Sequence, residues 1–212
     1  DSKATVIQGY ESLTADAEPY FTNAVTEIVT RPGAVLRHYK LQREARNAYH
    51  VAATHATVGR DSMFASVSLD LGGGLVRNDI STTLAEVGAS VKLDGLYLGD
   101  GKRHIDNHTF VDHAVPGTSS DEVYKGILTD ASHGVFVGRV LVRHDAQHTV
   151  AHQVNKNLVL SDEAEVDSQP MLEIFADDVQ CTHGAAIGRL DPNAVFYLNS
   201  RGLDTREAQE LL

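Results

Sequence analysis

The chain has 212 residues, 42% of them hydrophobic and 22% charged, and carries a formal net charge of −11. That size admits one long core, and the acidic balance disfavours a nucleic-acid or anionic-membrane surface, because both recruit Lys and Arg. One cysteine, Cys181, rules out an intrachain disulfide and fits a reducing compartment.

No run of residues is long and apolar enough to span a bilayer, and no apolar signal segment follows Asp1-Ser2-Lys3. The first thirty residues are ambiguous, although 20–29, rich in Thr, Val, Phe and Tyr, can form a strand. The dominant signal beyond them has period two. In 63–71 the odd positions are Met, Ala, Val, Leu and Leu, alternating with Phe64, Ser66, Ser68 and Asp70. That pattern reads as a strand with one buried face. Comparable stretches recur at 49–58, 75–84, 90–98, 134–143, 150–160 and 171–179. Turn residues separate them: Gly72-Gly73-Gly74, Gly99-Asp100-Gly101, Pro116-Gly117, Asp130, Asp145 and Ser161-Asp162. Many short strands with no helical period between them make a sandwich, a barrel or a solenoid, and periodicity does not choose among the three.

The C-terminus changes character. Asp191-Pro192 is a helix start, with Asp as cap and Pro at the first helical position. Val195 and Leu198 share a face, and Gly202 is a stop. Asp204 caps a second helix with Glu207 at the capping-box position, and Ala208, Leu211 and Leu212 form its apolar face. Residues 1–190 therefore read as a β core domain. Residues 191–212 read as the start of a C-terminal helical domain, cut short in a piece of a longer protein.

Cys181 and His183 lie two apart in an extended stretch, so both side chains point to one face, with Cα atoms about 6–7 Å apart. Thiolate and imidazole suit an iron–sulfur centre or zinc. Two ligands are not four, so a metal held here would draw its other ligands from another chain. The plain alternatives stay open: a lone Cys is usually a small buried hydrophobe, and a His beside a Gly a turn or surface residue.

His144, His148 and His152, and His104, His108 and His113, have spacings that would suggest zinc on a helix, but here the context is strand and turn. They read as solvated or interior polar positions. Gly72-Gly73-Gly74 lacks the Lys-Ser or Lys-Thr of a phosphate loop and reads as a tight turn. No Gly-x-Ser-x-Gly elbow is present, and Asp177-Asp178 reads as a strand end rather than a carboxylate pair.

Several segments carry a family resemblance. They are Asn155-Lys156-Asn157-Leu158, Ser161-Asp162-Glu163-Ala164-Glu165-Val166 and Pro170-Met171-Leu172-Glu173-Ile174-Phe175-Ala176-Asp177-Asp178-Val179. Then come Cys181-Thr182-His183-Gly184-Ala185 and Phe196-Tyr197-Leu198-Asn199-Ser200-Arg201-Gly202. Upstream, Tyr20-Phe21-Thr22-Asn23-Ala24-Val25-Thr26-Glu27 and Tyr124-Lys125-Gly126-Ile127-Leu128 match too. Together they resemble the SufB/SufD family of iron–sulfur cluster assembly proteins, over nearly the whole chain. Cys-x-His-Gly-Ala and the single cysteine are more similar to the SufD type, since SufB-type members carry further cysteines.

The resemblance implies a mainly β fold, a right-handed parallel β-helix built as a single-chain solenoid with short C-terminal α-helices. It implies a scaffold rather than an enzyme, paired with a SufB-type protein through the β-helix and docking a SufC-type ATPase through C-terminal helices. It implies a transient iron–sulfur cluster at the SufB–SufD interface, with His183 and Cys181 as the metal-site residues here and no cofactor resident in this chain alone. A homodimer is expected where the partner is absent. Nucleic acid and membrane are not expected partners, and the setting is bacterial cytoplasm or plastid stroma. The competing reading is a β-helix carbohydrate-active enzyme, which needs clustered Asp and Glu with Arg or Lys on an exposed strand face.

Overall fold

The computed structural model describes residues 2–13 and 18–212; Asp1 and 14–17, within the stretch the sequence leaves ambiguous, lie outside it. Thirteen strands follow one another: β1 (Lys3–Glu11), β2 (Phe21–Thr30), β3 (Val35–Arg43), β4 (Tyr49–Val58), β5 (Met63–Asp70), β6 (Leu75–Leu84), β7 (Ser90–Gly99), β8 (His104–His113), β9 (Ser119–Leu128), β10 (His133–Val142), β11 (Thr149–Val159), β12 (Glu165–Ile174) and β13 (Val179–Arg189). Two helices close the chain, α1 (Pro192–Ser200) and α2 (Thr205–Leu211). No helix among the described residues is long and apolar enough to cross a membrane.

Odd strands form a seven-stranded sheet in the order β1-β3-β5-β7-β9-β11-β13, and even strands a six-stranded sheet in the order β12-β10-β8-β6-β4-β2. Every pairing is parallel, and each strand lies beside the one two places away. The chain thus crosses from one sheet to the other at each corner and returns one strand further along. This is a parallel β-helix of about six turns, and it settles the three-way choice in favour of the solenoid. A sandwich would have paired neighbours antiparallel. Strand–crossover–strand units of L-residues wind right-handed.

Corners stack as the strands do. Leu71 N–H donates to the Gln42 carbonyl at 2.9 Å and Gly73 N–H to that of Glu44 at 3.0 Å, so one corner hangs on the corner before it. Gly72 is required there: a Cβ would lie 2.4 Å from the backbone N and O of Glu44. Gly73 has φ 75, in the left-handed region glycine alone enters cheaply.

The interior holds a continuous apolar cluster that includes Phe64, Leu93, Tyr97, Ile105, Tyr124 and Phe136. It is interleaved with hydrogen-bonded polar side chains, such as Asn78, whose amide donates to Asn107 at 2.9 Å. This overturns the simplest reading of the period-two stretches. The buried face of β5 is the even one, Phe64, Ser66, Ser68 and Asp70, and the more apolar odd positions face outward. A narrow solenoid can bury small polar groups where they find partners on neighbouring strands, as Ser66 does with His38 Nδ1 at 3.1 Å. The stretch 171–179, read as one strand, is the end of β12, a corner at 175–178 and the start of β13. The contiguous apolar run Met171-Leu172 and Ile174-Phe175 hid that break.

Both helix starts form as their residues dictate. Asp191 accepts from Asn193 N–H, and Asp204 and Glu207 form a reciprocal capping box. Val195 and Leu198 are half-buried and Ala208 is buried, whereas Leu211 and Leu212 are exposed.

Candidate functional site

β13 is the last strand of its sheet, hydrogen-bonded to β11 on one side and to no strand among the described residues on the other. Register carries the interior columns of β11 onto it. Cys181 lies opposite Ala151 and His183 opposite Gln153. Ala151 and Gln153 are buried, so Cys181 and His183 take interior positions on one shared face, as their spacing requires. No later strand among the described residues covers them. Cys181 is half-buried against the apolar cluster, and His183 is exposed. Burial pushes the Cys181 thiol up from its ordinary value, against a hydrogen bond with the Ala151 backbone. The thiol therefore holds its proton until a metal or a basic group displaces it.

Among the described residues no group of three or more His, Cys, Asp or Glu could hold a metal ion. Cys181 and His183 place a thiol and an imidazole on one open face of β13. The other histidines are accounted for locally. His148 pairs with Asp178 at 2.9 Å, His144 with Asp145 at 3.0 Å, and His152 Nδ1 meets the Thr182 hydroxyl at 2.7 Å. His113 is buried between Thr118 and Ser120, at 2.8 and 2.9 Å from their hydroxyls. Asp177 and Asp178 lie in the corner before β13.

Two arrangements were not legible from spacing. On the outer face, Arg77 bridges Asp79 and Asp106, and Asp106 also meets His108 at 2.8 Å. It is the kind of charged cluster a carbohydrate-active β-helix would need, although Asp106 is largely buried and both carboxylates are ion-paired to one guanidinium.

The second arrangement lies behind His183. An interior column runs Leu93, Glu122, Gln153, His183 along β7, β9, β11 and β13. Gln153 Nε2 donates to Glu122 Oε2 at 2.6 Å. Burial raises the Glu122 carboxyl to about 7, against opposing hydrogen bonds from Thr109 and Gln153.

The sequence model of one family, described as "SUF system FeS cluster assembly, SufBD core domain", matches residues 1–212. The iron–sulfur cluster assembly protein SufD of Escherichia coli is 35% identical over 100% of this chain and 49% of its own length. An iron–sulfur cluster assembly SufBD family protein of Synechocystis is 33% identical over 100% of this chain and 48% of its own. The chloroplastic protein ABCI7 of Arabidopsis thaliana is 33% identical over 91% of this chain and 41% of its own. The chain thus spans about half the length of the curated relatives it matches. Its parallel two-sheet solenoid and its full-length match lead to one conclusion: the chain belongs to the SufBD core domain family of the SUF iron–sulfur cluster assembly system.

Proposed function

We propose that this chain is the core of a SufD-type scaffold subunit that turns over no substrate of its own. It pairs with a SufB-type subunit through the β-helix end formed by β12 and β13. The helical region opening with α1 and α2 docks a SufC-type ATPase, whose nucleotide-driven movement reshapes the paired end. The cargo is a nascent iron–sulfur cluster built between the two scaffolds. His183 supplies an imidazole and Cys181 a thiolate from this side, and the partner supplies the rest. The single cysteine favours the SufD type over the SufB type. A bacterial cytoplasmic or plastid setting agrees with where the relatives come from.

One observation carries this reading: the thiol and the imidazole share a face on a terminal strand whose free edge and bare interior positions invite a second chain. An incomplete ligand pair at an open edge has a use only if the site is completed from across an interface.

The test is co-expression of the full-length protein with SufB- and SufC-type partners and anaerobic purification, followed by iron, sulfide and visible-absorption measurements. We expect His183→Ala to leave the assembled complex intact and strip most of its cluster. A mutant complex with an undiminished cluster would show that His183 is no ligand and that this subunit only pairs and docks.

A further inference from the structure

Gln153 is fully buried, and its amide is used on one side only. Nε2 donates to Glu122, whereas Oε1 is buried and has no hydrogen-bond partner. An orphaned buried acceptor is costly and calls for an explanation. In that bond the Glu122 oxygen takes the N–H₂, which leaves the carbonyl oxygen on the other side. Glu122 is on β9, and β11 lies between β9 and β13. The next residue of this column, one strand spacing of about 4.8 Å away, is His183. Room for Gln153 is built in from the opposite sheet. A Cβ on Gly138 of β10 would stand 2.4 Å from Gln153 Nε2, so a side chain there would have to push the amide aside.

We infer that Gln153, anchored by Glu122, is the positioning residue for His183. Once a partner covers β13, Gln153 Oε1 accepts the N–H of one His183 ring nitrogen and presents the other nitrogen to the cluster. This rests on the reading of His183 as a ligand. A neutral imidazole has one donor and one acceptor nitrogen, and the group that takes the N–H decides which nitrogen faces the metal. Supporting groups of this kind are worth about 10–100-fold in metal affinity. Glu122 acts one step further back, by holding the amide in the orientation His183 needs.

The test uses the full-length protein assembled with its SufB-type partner, titrated anaerobically with ferrous iron alone. The mass of the assembly is followed in parallel, and the nitrogen hyperfine spectrum is recorded on a second sample reconstituted with iron and sulfide and then reduced. Gln153→Met, close in volume and unable to accept, should weaken iron binding about 10–100-fold and shift the nitrogen coupling, with assembly mass unchanged. Glu122→Gln, which frees the amide to flip, should move both readouts the same way by less. His183→Ala separates the two ideas. If it leaves iron affinity unchanged, the ligand reading itself fails. If it lowers affinity while Gln153→Met and Glu122→Gln do not, only the positioning role is overturned. The unsubstituted complex gives a check that no folding defect can obscure. The His183 ring proton should exchange slowly with deuterium, and rapid exchange, as in a solvent-facing imidazole, overturns the inference.

Discussion

Glu122 and His113 are interior groups with no water to hold a charge, and their links to stability run in opposite directions. Burial lifts the Glu122 carboxyl from its ordinary 4.5 to about 7, so the folded state holds a proton that the unfolded chain has already released. Its contribution is greatest below pH 4.5 and is lost as pH climbs toward 7. Burial lowers His113 from 6.5 to about 4, against the pull of Asp112, so folding there is favoured above pH 6.5 and penalised as pH falls toward 4. The two slopes oppose each other between about pH 4.5 and 6.5. Glu122→Gln should unmask the His113 slope, with stability rising with pH, and His113→Gln should unmask the falling Glu122 slope. The amplitude for Glu122 is on the order of 3 kcal/mol. Urea midpoints measured from pH 4 to 8 check this. If the slope of Glu122→Gln matches that of the unsubstituted protein, the buried carboxyl does not titrate with folding.

At the scale of strands, the seven-stranded sheet makes room for its two largest side chains with glycine neighbours. Gly95 lies opposite Tyr124, and Gly126 opposite Tyr97. A Cβ on Gly95 would stand 2.2 Å from the Tyr124 ring, and one on Gly126 would stand 2.3 Å from the Tyr97 ring. Gly95→Ala should therefore cost roughly 1–3 kcal/mol through overpacking. Gly184→Ala in β13, where a new Cβ meets nothing within 4 Å, should cost nothing or stabilise slightly. Equal denaturation midpoints for the two variants would contradict the nested packing. These pairings also mark what the sequence could tell. Corners and caps were legible because Gly73, Asp191 and Asp204 act within a few residues of themselves. Faces were not. β8 turns Ile105, Asn107, Thr109, Val111 and His113 inward, a mixture in which polar residues erase the alternation, and so the strand escaped notice. β3 and β9 carry no clear alternation either, and β13 shows only as the extended stretch around Cys181 and His183. At the site, spacing placed Cys181 and His183 on one face. Gln153 and Glu122 stayed hidden, because their neighbours in space are a full turn away in sequence.

The whole molecule is a stack whose repeats meet only their neighbours, so its two ends decide its behaviour in solution. Exposed apolar groups gather at both: Phe21, Val25 and Val29 on β2, and Ile187 on β13. Parallel strands with open edges add chains readily. In isolation, the protein should dimerise reversibly through β13 at high concentration. Ile187→Lys should return it to a monomer. Sedimentation equilibrium distinguishes the cases, and a monomeric mass at high concentration for the unsubstituted chain would rule out self-pairing by this edge.

Strand lengths vary little, from 8 residues in β5 to 11 in β11 and β13. The distance along the chain between stacked residues is looser. Tyr49 sits beside Leu75, 26 positions on, while His133 sits beside Glu165, 32 positions on. The slack is shared between the corners and the difference in length between β5 and β11, while the residue-by-residue stacking of paired strands runs on without a break. A single residue added within β11 would turn Gln153 to the solvent and bring its neighbour inward, and the column ending at His183 would be broken along with it.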